Sequence, residues 1–99
     1  MIKRLVKLTF QIEKAADFQQ IFEESKDKIR AFDGNEGVEL LRDSDRLNVF
    51  FTLSLWRDAE ALDAYRQSDL FRQTWAKTKI LFAERPEAWS TKVISKADI

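Results

Sequence analysis

Residues 47–56 read Leu47-Asn48-Val49-Phe50-Phe51-Thr52-Leu53-Ser54-Leu55-Trp56. Successive side chains of a strand point to opposite faces, so Leu47, Val49, Phe51, Leu53 and Leu55 share one side. Asn48, Phe50, Thr52, Ser54 and Trp56 share the other. The first side is wholly apolar, yet the second also carries two of the largest apolar side chains, Phe50 and Trp56. A strand wet on one face would alternate between apolar and polar residues. This one needs cover on both sides.

The flanking sequence supplies the rest of the fold. Upstream, the polar turn Asp43-Ser44-Asp45-Arg46 separates the stretch from another strand candidate, Val38 to Arg42. Residues 2–12 also alternate: Ile2, Val6, Leu8, Phe10 and Ile12 fall on one face, with Arg4 the charged exception. From about Ala15 the period changes. Phe18, Ile21, Phe22, Ser25, Ile29 and Phe32 form one stripe of an amphipathic helix, which Asp33-Gly34-Asn35 ends. Gly34 suits the left-handed conformation of a helix terminus. Downstream, Asp58 is placed to cap a short helix through about Tyr65, and Ser68 to cap another. In that second helix Phe71, Trp75, Thr78 and Phe82 form the stripe, and Glu84-Arg85-Pro86-Glu87 breaks it. Ala88 to Ile94 reads as a final strand. Residues 1–95 are expected to form a single domain and 96–99 a tail.

The order β-α-β-β-α-α-β predicts an α+β protein: a ferredoxin-like split βαβ with a four-stranded antiparallel sheet and its helices on one face. The opposite face must then be covered by something else. A second copy of the chain is the economical answer, so a homodimer is expected.

Composition restricts the chemistry. The 99 residues include no histidine and no cysteine. A structural zinc site of the usual kind, a disulfide frame, a thiolate nucleophile and a Ser-His-Asp triad are all excluded, as is haem held by an axial histidine or cysteine. Seventeen basic and seventeen acidic residues balance, leaving no overall field to draw the chain to nucleic acid or anionic lipid. No apolar run approaches the ~20 residues of a membrane span, so a soluble, cytoplasmic protein is expected. Two glycines and one proline leave no phosphate-cradling loop. Aromatic mass is abundant, with eight Phe, three Trp and one Tyr.

The run Phe50-Phe51-Thr52-Leu53-Ser54-Leu55-Trp56, followed by Asp58-Ala59-Glu60-Ala61-Leu62, Tyr65 and Ser68-Asp69-Leu70-Phe71, resembles the antibiotic biosynthesis monooxygenase domain family. The resemblance covers residues 2–94 and implies a dimeric α/β barrel. The family includes cofactor-independent oxygenases that form quinones, and haem-degrading enzymes. The haem-degrading branch uses a histidine on the last long helix, a place that corresponds here to Trp75. Its first-strand asparagine corresponds to Val6 or Lys7, and its short-helix tryptophan to Tyr65. The quinone-forming branch uses an asparagine and a tryptophan four residues apart on the third strand. Thr52 and Trp56 hold those positions, and Arg72 corresponds to an arginine of the long helix.

Together these readings favour a cofactor-free monooxygenase acting on a small aromatic or quinone-like compound. In such chemistry the substrate, as a phenolate or enolate, supplies electrons to dioxygen, so no metal or other cofactor is required. The protein must hold a flat ligand, stabilise its anion and keep water out. Trp56, Arg72 and Tyr65 are the candidate catalytic residues, and Asn48, Thr52 and Trp75 the candidate ligand contacts. Each has a structural alternative. Trp56 and Trp75 can be core packing, Asn48 can simply open the strand, Tyr65 can point its tip into water, and Arg72 can pair with Asp69. The alternative function is a non-catalytic, ligand-binding or structural dimer. A cavity of ~300 Å³ or more lined by several of these side chains separates the two.

Overall fold

The computed structural model describes residues 1–97, so residues 98 and 99 of the expected tail lie outside the described residues. The strands are β1 (Ile2–Thr9), β2 (Asn35–Arg42), β3 (Val49–Trp56) and β4 (Glu87–Thr91). The helices are α1 (Ala15–Arg30), α2 (Ala59–Arg66) and α3 (Asp69–Lys79). The sheet has the order β2-β3-β1-β4 and is antiparallel throughout, which makes it the ferredoxin-like arrangement expected. β3 pairs with β1 from Thr9↔Val49 to Ile2↔Trp56, and with β2 along its other edge.

Local chemistry explains the element boundaries. Asp58 accepts a hydrogen bond from the Ala61 amide at 2.8 Å, and Ser68 from the Phe71 amide at 3.1 Å, so each satisfies an orphan donor at its helix start. In the β2–β3 turn the Asp43 carboxylate accepts from the Asp45 and Arg46 amides, both at 2.9 Å, which holds its pKa below the usual carboxylate value. After α1 the chain turns through Gly34 at φ 88°. The Gly34 carbonyl accepts from the Arg57 amide at 2.8 Å, tying this turn to the end of β3.

Several boundaries differ from the sequence reading. α3 ends at Lys79 instead of running on to the break at 84–87, because Leu81 turns into the core and Phe82 forms a bridge with Phe10. β4 runs from Glu87 to Thr91, not from Ala88 to Ile94. Its partner strand runs out, since Thr91 already pairs with Lys3 one residue from the start of β1. Ile12 lies in a short 3-10 turn and is exposed, not in the first strand. β2 begins three residues earlier than expected, at Asn35, and β3 begins at Val49.

The even-numbered residues of β1 and β3 face the helices. Leu8, Phe10 and Phe50 are buried with Phe18 and Phe22 of α1 and Leu81, while Ile2 and Trp56 are buried with Ala61 and Leu62 of α2. These are two separate clusters at opposite ends of the sheet. On the far face the register lines up Leu53, Leu5 and Trp89 as one row and Leu41 with Phe51 in the next. Trp89 is 43% and Leu41 42% exposed, so the described residues leave this face without full cover. Among the described residues, no helix is long and apolar enough to cross a membrane.

Gly34 is the most constrained backbone position. A Cβ there would collide with the Cβ of Ala61, and a non-glycine residue would also hold a left-handed conformation. Gly34→Ala should therefore destabilise the fold by about 2 kcal/mol or more, measurable by denaturant unfolding.

Candidate functional site

The two core clusters do not meet in the middle. Between them lies a cavity of about 370 Å³, bounded by the even-parity face of the sheet and by all three helices. The sheet contributes Arg4 and Val6 from β1, Thr52, Ser54 and Trp56 from β3, and Ala88 from β4. The helices contribute mainly apolar side chains, among them Phe22, Tyr65, Phe71 and Trp75.

Strand parity and helix phase explain this lining. Thr52, Ser54 and Trp56 sit two residues apart and so line up along β3. Phe71, Trp75 and Thr78 fall at helical spacing on the inner side of α3. The small side chains of β3 create the space, because Thr52 and Ser54 stand between the two bulky members of their face, Phe50 and Trp56. The Trp56 indole N–H donates to the Ser54 hydroxyl at 3.0 Å, which fixes the ring and leaves the Ser54 hydroxyl hydrogen free.

Aromatic rings form an unbroken chain from Trp56 of β3 through α2 and α3. Trp56 stacks on Tyr65 with centroids 4.8 Å apart, Tyr65 meets Phe71 edge to face at 5.3 Å, and Phe71 stacks on Trp75 at 5.9 Å. Trp75 then reaches Phe82 at 5.5 Å, and Phe82 stacks on Phe10 at 5.0 Å. Each such pair contributes roughly 0.5–1.5 kcal/mol beyond its area, so the wall is stiff as well as apolar.

The polar lining is mostly hydroxyls, and its two charged groups, Arg4 and Arg66, are both positive. Burial pushes the Tyr65 hydroxyl up to about 12, with the Arg4 charge pulling weakly the other way. Tyr65 is therefore a neutral hydrogen-bond donor at physiological pH. Arg4 has its own pKa lowered, first by burial and then by repulsion from Arg66, which also lines the cavity. The hydroxyls of Ser25 and Thr78 are turned back onto the Ile21 and Thr74 carbonyls of their own helices. They offer little to a ligand.

Of the six residues singled out in the sequence, Trp56, Tyr65, Thr52 and Trp75 come together around this cavity. Two do not reach it. Arg72 points outward, its side chain 69% exposed and 3.9 Å from Asp69. Asn48 precedes β3 and donates its amide to the Phe10 carbonyl at 2.8 Å, closing the end of the sheet. The cations of the site are instead Arg4 and Arg66. Arg4 had a sequence signal, as the one charge on the buried parity of the first strand. Arg66 had none.

An antiparallel ferredoxin-like sheet with an aromatic-walled cavity under its helices defines the class, and comparison with known proteins places the chain within it. Residues 1–77 match the family described as antibiotic biosynthesis monooxygenase, and the chain belongs to that family. Solved structures called "putative antibiotic biosynthesis monooxygenase" share the fold. One from Deinococcus radiodurans superposes with a TM-score of 0.89 at 17% identity, covering 100% of this chain and 98% of that one. Another from Nitrosomonas europaea has a TM-score of 0.89 at 13% identity, covering 96% and 100%. A "Putative heme-binding protein" of Natronomonas pharaonis is 36% identical over 70 residues, or 71% of this chain. The match spans 12% of that longer relative.

Tyr65 is the sole tyrosine, so its titration can be read directly. The near-ultraviolet absorbance of native protein should titrate near 12, falling to about 10 once the chain is denatured. Because the folded pKa lies above the unfolded one, this group's contribution to stability is complete below about pH 10 and is lost as pH rises toward 12.

Proposed function

We propose that the protein binds a flat aromatic or quinone-like compound in this cavity and oxidises it with dioxygen, without a metal, flavin or haem. The observation that carries the reading is the continuous Trp56–Tyr65–Phe71–Trp75 wall facing a 370 Å³ space, together with membership of the family. A phenol and dioxygen give a quinone and water with atoms and electrons in balance, so no outside reductant is needed. The rings position the substrate plane, and their low polarity excludes water from the reduced-oxygen intermediate. Tyr65, held protonated, donates a hydrogen bond to the substrate oxygen as negative charge builds there. The Thr52 and Ser54 hydroxyls serve the opposite edge of the ligand. Asn48 and Arg72, which lie outside the cavity, take no part in this reading.

Haem fits the donor set poorly. The chain has no histidine or cysteine, and among the cavity-lining residues only Tyr65 could ligate iron. A tyrosine ligand binds as phenolate, which burial here disfavours. The second reading is therefore simple binding of the same aromatic ligand without turnover, in a dimer of the same fold.

The uncovered sheet face supports the homodimer. Leu5, Phe51, Leu53, Leu55 and Trp89 form a contiguous apolar surface, and its complement is another copy of itself.

Oxygen-electrode assays with hydroquinones and naphthols should show uptake that falls at least about tenfold in Tyr65→Phe, the scale of one lost transition-state donor. Binding without any uptake across the panel would favour the second reading. Sedimentation should return about twice the 11.7 kDa chain mass, and Leu53→Asp should shift it to the monomer. A monomeric parent protein would refute the dimer.

A further inference from the structure

We infer that the ligand carries a carboxylate besides its apolar rings, and that Arg4 on the sheet, with Arg66 at the cavity mouth, is its anchor. This rests on the reading above of the cavity as an aromatic-ligand site, and adds the charge of what enters it.

A guanidinium on the helix-facing side of a strand is out of place. Ile2, Val6 and Leu8 share that side of β1, and all three pack into the apolar interior. Arg4 stands in their row, between Ser54 of β3 and Ser90 of β4 in the register, and its side chain lines the cavity. Placing a cation there is unfavourable unless an anion meets it. The described residues provide none. Among the described residues Arg4 makes no ion pair, and no Asp or Glu lines the cavity. The charged neighbour it does have is a second cation, Arg66, which adds repulsion.

The surrounding chemistry specifies what would relieve this. Two guanidiniums present planar donor forks suited to a carboxylate. The Tyr65 hydroxyl and the Ser54 hydroxyl hydrogen are further donors, and among the described residues no carboxylate lines the cavity to compete for them. The Trp56, Phe71 and Trp75 rings suit a flat apolar body. The lining thus combines guanidinium and hydroxyl donors from β1, β3 and α2 with aromatic rings from β3 and α3. A neutral polycycle would satisfy the rings only.

Calorimetric titration with 2-naphthoate and with 2-naphthamide, nearly equal in shape and differing in charge, tests the inference. Naphthoate should bind at least about tenfold more tightly, as expected for a charge-assisted, bidentate contact. Arg4→Gln should remove most of that preference, costing naphthoate more affinity than naphthamide, and Arg4→Lys should restore part of it. Equal affinity of the two compounds for the parent protein would overturn the carboxylate anchor while leaving the aromatic site standing. A preference undiminished in Arg4→Gln would overturn the assignment to Arg4. Failure of both compounds to bind would overturn the aromatic-site reading and the anchor with it. The comparison in the parent protein needs no variant, so it holds even if Arg4→Gln folds poorly.

Discussion

β3 is an inner strand, and the parity of its side chains governs the whole molecule. With β1 on one edge and β2 on the other, it cannot rotate to present a different face. The side carrying Phe50, Thr52, Ser54 and Trp56 is committed to the helices, and the side carrying Phe51, Leu53 and Leu55 is committed away from them. A one-residue slip would put the leucines under the helices and expel Trp56. The cavity exists because the helix-facing side is the less apolar one. Two bulky aromatics hold the helices off at either end, and two small hydroxyl residues leave the middle unfilled.

Much of this was legible because local chemistry and global fold agree. Asp58 and Ser68 start their helices as their side chains dictate, and Gly34 adopts the one conformation that its position permits. The two faces of β3 follow from alternation alone. Which face meets the helices does not, since both carry large apolar residues and alternation is symmetric between them. That choice is made by tertiary packing, where Trp56 closes against Ala61, Leu62 and Tyr65.

The end of α3 escaped the sequence for a related reason. No glycine or proline stands at residues 80–82, and the helical stripe continues through Phe82. The helix nevertheless stops at Lys79 because a long-range bridge between Phe10 and Phe82 competes successfully with another helical turn. The site was half legible. Strand parity and the family resemblance marked Trp56, the resemblance marked Tyr65 and helical spacing marked Trp75, but the charges were misleading. Arg72 corresponds by resemblance to an arginine of the family's long helix yet sits on the outer side of α3, whereas Arg4 looks like a defect in an apolar strand and faces the cavity. A charge that breaks a buried pattern carries more information than one that fits an exposed pattern.

The last strand also bears on how the cavity is closed. Every residue of β4 is exposed, and its sheet partner is β1 alone. Its five register pairs are reinforced by the Thr91 hydroxyl donating to the Lys3 carbonyl at 2.7 Å. Yet Pro86 and Ala88 form part of the cavity wall. Local opening costs least where few buried apolar contacts are lost, and β4 contributes no buried residue. One wall of the cavity therefore depends on a five-residue strand held by a single neighbouring strand.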